Sequence, residues 1–316
     1  MMKEKKHAYL VITHQYTPIL ETLIKMIDEE RNDIYVHIDK KVKTSFEDRI
    51  SSLVKHSELY FVKRHKVYWG HVSQVKAECE LFQTAYNHGG YSRYHLVSGA
   101  DLPVRSQDVI HEFFDAHQDE EFISFTNNEL LDRVIYKWLF TRHLRGLCSS
   151  RTWMGRKINR LQQMLTLSFL NLQKNLGLKN HAFDCYKKGS NWVSLTDRSV
   201  GVLLQSKKKA LRAFRFANCP DEHYKQTILF DYNKTHSKTN GNTIRFYQYP
   251  KREEILHTHP NECLLDSARY IPWSKGRLNL TIKDYDEIVN SDAMFCRKVV
   301  DEELAKKIFE RFGPKE

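Results

Sequence analysis

"AYLVITHQYTPILETLIKMIDEERNDIYVHID" (Ala8 to Asp39) has a continuous apolar run at each end and a helical pattern between them. Thr17 is placed to cap the helix and Pro18 to open it, because proline tolerates the first helical position. The apolar residues of the helix share one face: Leu20, Leu23, Ile24 and Ile27. Two buried strands that flank an amphipathic helix form a βαβ unit, which implies a parallel sheet covered on both faces.

The same alternation of apolar runs and helical patterns continues to Phe125. Further strands are predicted at "ELYFVKR", "YHLVSGAD" and "EFISF", and helices at "SQVKAECELFQTAYN" and "SQDVIHEFFDAH". This pattern predicts an α/β fold with a mostly parallel central sheet and helices on both faces, in which ligands bind beyond the carboxyl ends of the strands. The residues at those ends are candidate ligand contacts: His14, Asp39, Ser98, Gly99 and Asp101.

The second half of the chain alternates less regularly. We predict strands at "GSNWVSLT" and "NTIRFYQY", a loop at "SARYIPWSKG", and helices over "DRSVGVLLQSKKKALRAF", "TIKDYDEIVNSDAMFCRK" and "DEELAKKIFERFG". No repeat, low-complexity tract or linker separates domains, so we expect a single domain over residues 1–316.

The composition is that of a globular protein with an anionic partner. The chain has 316 residues, 41% of them hydrophobic, and a net charge of +11. Such a charge suits a phosphate-bearing small molecule, a nucleic acid or an acidic membrane surface. The scattered cysteines, without a Cys-x-x-Cys pair, are typical of a cytosolic protein. No signal peptide or run of about 18 apolar residues occurs, so we expect any membrane contact to be peripheral.

A basic segment interrupts the pattern between Arg133 and Phe183. It contains no Asp or Glu, and its charged residues are Arg133, Lys137, Arg142, Arg145, Arg151, Arg156, Lys157, Arg160, Lys174 and Lys179. Because "LQQMLTLSFLNL" adds an apolar pattern beside these charges, a helix lying on an anionic bilayer is one interpretation. The other is a solvated helical insert whose apolar stripe faces the core.

Two carboxylates stand side by side in "CPDEHYKQTIL", at Asp221 and Glu222. Behind a proline, they have the pattern of an ordinary helix N-terminus, where the helix dipole favours negative charge. A general base also needs a carboxylate held at the lip of a site, and a helix start that emerges from a loop supplies one. Asp39 has two interpretations as well, as a turn residue before two lysines or as a contact to ribose or base.

Phosphate contacts would have to come from side chains, because the chain has no Gly-x-Gly-x-x-Gly or Walker loop. Arg269 and Lys298, in the basic C-terminal third, are candidates for such contacts. The alternative is that both are ordinary surface charges.

No metal site is predicted. The one Asp-x-Asp match, at residues 284–286, follows Thr281 as a capping box would, and therefore indicates a helix start. His257 and His259 in "HTHP" would point to one face of an extended segment, but no third ligand is nearby.

Taken together, these segments resemble the core-2/I-branching β-1,6-N-acetylglucosaminyltransferases, glycosyltransferase family 14, which also includes peptide O-xylosyltransferases. The matching pieces occur in the family's order and span nearly the whole chain. They are "AYLVITHQ", "YVHIDKK", "VYWGHVSQVKAECELFQTA", "YHLVSGADLPV", "GSNWVSLT", "CPDEHYKQTIL", "RYIPW" and "NSDAMFCRK". The resemblance implies a GT-A fold, a UDP-sugar donor and an inverting displacement that uses no metal or other cofactor.

The resemblance also implies roles for individual residues. Glu222 matches the family's catalytic base, which deprotonates the acceptor hydroxyl. Arg269 and Lys298 match a basic pair that neutralises charge on the departing UDP. Asp39 matches a uridine contact, and "SGAD" (Ser98 to Asp101) matches part of the floor of the donor pocket.

Departures from the family set further expectations. The animal enzymes carry an N-terminal membrane anchor and a cysteine-rich lumenal domain, which this sequence does not show, so we expect a bacterial-type cytosolic relative. The domain would divide into a nucleotide-sugar-binding half at 1–128, the basic insert at 133–183 and an acceptor and catalytic half at 184–316. The family's acceptor-binding residues fall where the sequence diverges into the insert, so acceptor identity does not carry over.

The expected function is transfer of a sugar, GlcNAc first, from a UDP-sugar to a glycan acceptor in cell-surface polysaccharide assembly. A lipid-diphosphate-linked acceptor at the inner membrane face would explain the basic insert. Transfer of xylose, glucose or galactose to another acceptor is an alternative. A nucleic-acid-binding protein is disfavoured, because no recognised nucleic-acid motif occurs. A catalytically silent sugar-nucleotide binder is disfavoured because the matching catalytic residues are present.

Overall fold

The computed structural model describes residues 5–126, 130–236, 243–249, 267–271 and 279–315. Its strands are β1 (Lys6–Thr13), β2 (Asn32–Ile38), β3 (Glu58–Phe61), β4 (Tyr91–Ser98), β5 (Asp101–Pro103), β6 (Glu120–Glu121), β7 (Ser194–Leu195), β8 (Arg245–Phe246), β9 (Arg269–Tyr270) and β10 (Phe295–Arg297). Its helices are α1 (Pro18–Ile27), α2 (Glu47–Ser51), α3 (Val72–His88), α4 (Gln107–Ala116), α5 (Asp132–Ile135), α6 (Trp153–Asn175), α7 (Asp197–Gln205), α8 (Lys207–Ala213), α9 (Tyr224–His236), α10 (Tyr285–Asn290) and α11 (Glu302–Phe312). Short 3₁₀ turns lie at Thr141–His143, Pro220–Glu222 and Ile282–Asp284.

A five-stranded sheet has the order β3-β2-β1-β4-β7. β1 to β4 run parallel, and β7 pairs with β4 in the antiparallel direction. The predicted α/β fold with a mostly parallel central sheet is therefore confirmed. Because β7 runs backwards, the residues that precede it lie at the carboxyl end of β4, which is the edge where ligands bind in such sheets.

Alternate residues of the strands pack into two cores, one on each face of the sheet. In β1, Tyr9 and Val11 join a core that contains α1, α4 and α11. Ala8 and Leu10 join a second core that contains α3, α7 and α9. Burial on both faces explains why the strands are apolar throughout rather than alternating.

The start of α1 is as predicted. The Thr17 hydroxyl accepts a hydrogen bond from the Leu20 N–H at 3.2 Å, and Pro18 opens the helix. The apolar residues of α1 are buried: Ile19, Leu20, Leu23, Ile24, Met26 and Ile27. This helix can be predicted from its sequence, because its apolar pattern and its N-cap agree with its tertiary contacts.

The C-terminal region differs from the prediction. The helix predicted over "TIKDYDEIVNSDAMFCRK" ends at Asn290, and Phe295–Arg297 forms β10 instead. β10 pairs with β5 and with β9, and β9 lies where a loop was predicted. Hydrogen bonds to two strands distant in sequence outweigh the local helical pattern. The capping box of Thr281 and Asp284 is present as predicted.

Two predicted strands are shorter than expected. "EFISF" contributes only the last residue of β6 and a bridge from Phe122 to Ser194. "GSNWVSLT" contributes only β7, and the segment before it is irregular. The helical pattern that follows divides into α7 and α8 at Ser206. The irregular backbone at Gly189 to Val193 is buried, and its side chains contact α9 and β10 through Asn191 and Trp192.

Candidate active site

Three of the predicted ligand contacts gather around the end of β1. His14 directly follows the strand and is exposed. The Asp39 N–H donates to the carbonyl of Thr13 at 2.9 Å, and the Gly99 N–H donates to the carbonyl of Ile12 at 3.0 Å. The carboxyl ends of β1, β2 and β4 therefore bring His14, Asp39 and Gly99 to one edge, as the parallel sheet predicts.

Asp39 is buried and bonded to its own surroundings. Its Oδ1 accepts from the backbone N–H of Lys41 at 2.9 Å and of Val67 at 3.3 Å. Its Oδ2 lies 3.3 Å from the Lys41 ammonium. The carboxylate thus ties the end of β2 to the loop after β3, and this is the turn role that the sequence left open. A ligand contact would be additional to it.

Ser98 and Asp101 form a network with an arginine that sequence reasoning missed. The Ser98 hydroxyl donates to Asp101 Oδ1 at 2.7 Å, and the Ser98 N–H donates to Asp101 Oδ2 at 3.0 Å. Arg297 Nη1 donates to Asp101 Oδ1 at 2.6 Å, and its guanidinium lies 3.8 Å from the centre of the Trp192 ring. Asp101 is buried, whereas the Arg297 side chain keeps 20% of its surface exposed. We call His14, Asp39, Ser98, Gly99, Asp101 and Arg297 the sheet-edge cluster.

Arg269 lies in the interior. Its guanidinium donates to the carbonyls of Leu96 at 3.1 Å and Val193 at 2.9 Å, and to the Ser194 hydroxyl at 3.3 Å. Burial lowers the pKa of this arginine to about 10, which nearby Asp101 opposes. Arg269 therefore joins β4 to β7 from inside, beneath the sheet-edge cluster.

Lys298, the other half of the predicted basic pair, is exposed. It follows Arg297 directly, and the next residue, Val299, donates its N–H to the carbonyl of Ala100 at 2.9 Å. Lys298 is thus attached to the turn formed by Ser98 to Asp101. The structure brings Lys298 to the surface at the sheet edge and keeps Arg269 inside.

Glu222 ends a 3₁₀ turn, Pro220–Glu222, that follows Cys219 in the left-handed region at φ 52°. α9 begins only at Tyr224, and neither acidic side chain caps the turn. The Glu222 side chain is 26% exposed, and its Oε2 lies 3.7 Å from Arg133 Nη1 and 3.8 Å from Lys188 Nζ. These contacts are too long for hydrogen bonds, so the carboxylate faces two cations without being locked to either. We call Pro220–Glu222 the Glu222 turn.

Asp221 points into the core instead. Burial, together with Glu78 and Glu222, raises the pKa of Asp221 to about 7, which Lys225 opposes. Beside it Lys225 is fully buried and donates to Glu78 Oε2 at 2.7 Å and to Asn191 Oδ1 at 2.5 Å. A carboxylate inside the apolar face of α3 was a signal in "AECELF" that the sequence reasoning did not use. The adjacent acids therefore have different environments, one interior and one open.

One loop joins Glu222 to the sheet-edge cluster. Gly189 donates its N–H to the carbonyl of Glu222 at 2.9 Å, and Lys188 faces the Glu222 carboxylate. A few residues later, Trp192 lies against Arg297. A Cβ at Gly189 would lie 1.8 Å from the carbonyl of Ser124, so this close approach requires glycine.

A second loop makes the same connection from the other side. Val67 bonds to Asp39, and three residues later Gly70 accepts the Cys219 N–H at 2.8 Å. Gly70 has φ +65°, and a Cβ there would lie 3.0 Å from the Cys219 sulfur. Two independent loops therefore converge on the Glu222 turn and the sheet-edge cluster, and the two form one candidate site.

Other sequence predictions concern metals, cysteines and membranes. In the described ranges, no three His, Cys, Asp or Glu side chains are grouped so as to hold a metal ion. His257 and His259 lie outside the described residues. Where the structure describes cysteines, their thiols are free: Cys79, Cys148, Cys185, Cys219 and Cys296. Over the same part of the chain, no helix is long and apolar enough to cross a membrane.

Three comparisons with known proteins were made. A solved structure, that of mouse xyloside xylosyltransferase 1 in its apo form, is similar at 8% identity and a TM-score of 0.32, over 83% of this chain and 93% of that one. No curated protein sequence matches the chain significantly. The model of the core-2/I-branching enzyme family matches residues 7–293. This chain therefore belongs to the core-2/I-branching enzyme family of glycosyltransferases.

Proposed function

We propose that this protein is an inverting, metal-independent glycosyltransferase with Glu222 as its general base. It transfers a sugar, GlcNAc in the first instance, from a UDP-sugar to a glycan acceptor in cell-surface polysaccharide assembly. The observation that carries the proposal is the contrast in "PDE". Glu222 is 26% exposed and its nearest cations lie 3.7 and 3.8 Å away, too far for hydrogen bonds, while Asp221 is interior.

The chemistry follows from an accessible carboxylate at the lip of the site. Glu222 takes the proton of the acceptor hydroxyl as that oxygen attacks the anomeric carbon, and the bond to the diphosphate breaks on the opposite face. UDP leaves with the electron pair of that bond. A positioned base of this kind commonly accelerates such a step by about 10²–10⁴-fold.

In this proposal Arg133 and Lys188 interact with the Glu222 carboxylate and not with the departing UDP. Both lie within 4 Å of the Glu222 carboxylate, and the Lys188 side chain is 10% exposed. They orient the carboxylate from two sides, since Arg133 belongs to the insert and Lys188 to the loop before β7.

The donor is proposed to lie on the sheet-edge cluster, with Asp39 near uridine and His14, Ser98, Gly99 and Asp101 lining the floor. Lys298 is the exposed cation available to the diphosphate. Arg297 holds the Ser98 to Asp101 turn from the open side. Arg269 is fully buried and donates to the carbonyls of Leu96 and Val193, so we assign it a positioning role.

The acceptor is proposed to be a lipid-diphosphate-linked glycan met at the cytoplasmic face of a membrane. Support comes from the position of the basic insert beside the base. Arg133 approaches Glu222, and its carbonyl accepts the Asn218 N–H at 2.8 Å, just before the Glu222 turn. A diphosphate on the acceptor side would meet this positive surface.

The test is UDP release from a panel of UDP-sugars, including UDP-GlcNAc, UDP-xylose, UDP-glucose and UDP-galactose, with and without EDTA. Wild type is compared with Glu222→Gln and with Glu310→Gln, a surface carboxylate on α11. EDTA-resistant turnover of one donor that is lost only in Glu222→Gln supports the proposal. Turnover that needs Mn²⁺, or that survives in Glu222→Gln, refutes the assigned mechanism.

A further inference from the structure

α6 lies on the protein with its polar side inward. The residues of this 23-residue helix that are buried are Gly155, Gln162, Thr166, Leu170 and Gln173. Gln162 Nε2 donates to the carbonyl of His143 at 2.7 Å, and Gln162 Oε1 accepts from the Leu147 N–H at 2.9 Å. Hydrogen bonds, Leu170 and the half-buried Ile158 and Phe169 therefore hold α6 to the rest of the chain, and its most exposed apolar residues take no part.

The second inward glutamine repeats this arrangement near the other end of α6. Gln173 Oε1 accepts from the Lys137 N–H and Gln173 Nε2 donates to the Lys137 carbonyl, both at 2.9 Å. Paired bonds at two points fix the rotation of the helix about its axis. The hydrogen bonds of the two glutamines thus determine which side of α6 faces the solvent.

The exposed side of α6 and of the residues after it carries many large apolar side chains among its polar and basic ones. Nine large apolar side chains there are 47 to 64% exposed: Trp153, Met154, Leu161, Met164, Leu165, Leu167, Leu172, Leu176 and Leu178. They make up nine of the 16 large apolar side chains that are exposed among the described residues. Such a concentration on one element indicates an interaction surface, since single exposed apolar residues elsewhere need no explanation. We call these nine residues the outer face.

The outer face forms a stripe along the helix. At about 100° per residue, Met154, Leu161, Leu165 and Leu172 fall within an arc of roughly 40°. A helix of 23 residues is about 34 Å long, so this stripe can lie flat along an extended surface. The stripe lies roughly 110° around the helix from the buried residues. Its four side chains are 47 to 57% exposed, so the core-facing alternative raised by the sequence does not apply.

The charge of the segment selects the partner. Residues 133–183 contain no Asp or Glu and carry ten Lys or Arg residues. A second copy of the same face would bring two strongly positive segments together, which is unfavourable. Lys157 lies 4.0 Å from the ring of Trp153 at the start of the helix, the combination of cation and indole found at lipid–water boundaries. An anionic bilayer satisfies both the apolar stripe and the positive charge.

The geometry points to a membrane-docking surface: we propose that α6 lies in the headgroup region of an anionic lipid bilayer, with the outer face inserted and the flanking basic residues on the lipid phosphates. The insert contacts the Glu222 turn through Arg133, so docking holds the catalytic carboxylate close to the membrane surface. Docking itself depends only on α6 and not on the proposed chemistry.

The test is cosedimentation of the full chain with vesicles, either of phosphatidylcholine alone or of phosphatidylcholine mixed equally with phosphatidylglycerol. Leu161→Gln combined with Leu165→Gln is expected to weaken partition into the mixed vesicles at least tenfold, because two inserted leucines are lost. The matched control replaces two exposed apolar residues outside the insert, Val109→Gln with Val300→Gln, and is expected to bind as wild type.

A second set of variants tests the charge without touching an apolar residue. Arg156→Gln, Lys157→Gln and Arg160→Gln together are expected to weaken partition roughly 100-fold, since each basic residue near an anionic surface contributes about fivefold. Lys306→Gln, Lys307→Gln and Arg311→Gln remove the same charge from α11 and serve as the control. Exposed charges leave folding intact, so this arm decides the matter even if the leucine variant unfolds.

Each outcome bears on the proposal. Loss of binding in both insert variants and retention in both controls supports it. Absence of wild-type binding to the mixed vesicles overturns it, as does equal binding to both vesicle types. A dimer in sedimentation equilibrium that the leucine variant dissociates, without vesicle binding, overturns it in favour of a second copy. Because vesicle binding is measured without turnover, its failure is distinguishable from failure of the proposed enzyme function.

Discussion

The sheet-edge cluster and the Glu222 turn are parts of one candidate site, yet their polar groups are satisfied differently. Asp101 accepts hydrogen bonds of 2.6 to 3.0 Å from Ser98 and Arg297 and is almost fully buried. Glu222 has its two nearest cations at 3.7 and 3.8 Å and keeps a quarter of its side chain exposed. The hydrogen bonds of the sheet-edge cluster keep it rigid, whereas the Glu222 turn leaves a carboxylate accessible.

Because of this difference, we expect the sheet-edge cluster to affect the stability of the fold and the Glu222 turn to affect turnover. A buried carboxylate with short bonds stabilises the fold only while its partners remain, because a lone buried charge is costly. A carboxylate with long, partly exposed contacts contributes little to folding and remains able to accept a proton. Mutations in the sheet-edge cluster should therefore be followed by the free energy of unfolding, and mutations in the Glu222 turn by turnover.

The largest expected effect is on turnover at the Glu222 turn. Glu222→Gln removes the proposed base while conserving shape, so we expect UDP release with acceptor to fall about 10²–10⁴-fold. The free energy of unfolding, measured with urea, should change by less than about 0.5 kcal/mol. A variant that unfolds more easily but keeps its turnover would reverse the roles assigned to the two parts.

The next effect is on stability at the sheet-edge cluster. Asp101→Ala leaves the partly buried Arg297 without its carboxylate, and we expect the free energy of unfolding to fall by about 3 kcal/mol. Asp119→Ala is the matched control, because its pair with Arg245 is exposed on both sides and should cost less than about 1 kcal/mol. Equal losses in the two variants would show that burial does not distinguish this cluster.

The pH dependence of stability should show an effect of intermediate size and test the contrast between Asp221 and Glu222. The pKa of Asp221 is raised to about 7 in the folded state, so the folded protein holds its proton more tightly than the unfolded chain does. Its contribution to stability is complete below the ordinary Asp value of about 3.9 and is lost as the pH rises through about 7, with a slope of at most about 1.4 kcal/mol per pH unit. Wild type should therefore lose stability relative to Asp221→Asn as the pH rises from 4 to 8 in urea titrations.

Glu310→Gln, at the protein surface, serves as the control for the pH titration and should show the same pH dependence of stability as wild type. A difference between wild type and Asp221→Asn that stays constant across this range would show that Asp221 is ionised throughout. The buried environment beside Glu78 and Lys225 would then have to be more polar than the contacts indicate.

The smallest expected effect is at the cations beside Glu222. Arg133→Met removes a contact of 3.7 Å between partly exposed side chains, so we expect kcat to fall about two- to fivefold and KM for the donor to stay unchanged. Arg311→Met, an exposed arginine of α11, should leave both constants as in wild type. A large rise in the donor KM would instead place Arg133 on the leaving group.

Much of the first half was readable because local pattern and tertiary packing agree there. The apolar runs became parallel strands, Thr17 capped α1, and the strand ends brought His14, Asp39 and Gly99 to one edge. The family was readable as well, since motifs in the right order span the chain and the family model matches residues 7–293. The roles of individual site residues stay predictions.

Other parts depended on contacts between segments far apart in sequence. The prediction of a helix in the C-terminal region was wrong at Phe295–Arg297, because this segment pairs with β5 and β9. Arg297 and Trp192 were missed, although both lie in quoted motifs, because only their contact with each other and with Asp101 distinguishes them from ordinary residues.

The amino-acid sequence by itself determined the α/β class, the parallel sheet edge, the "PDE" carboxylates and the basic, apolar insert, because each depends on periodicity, composition or a run of neighbouring residues. Tertiary structure alone decided which carboxylate is open, which basic residue is buried, and that α6 turns its apolar side outward. Those outcomes depend on burial and hydrogen-bond partners that come from distant segments, and no local pattern specifies them.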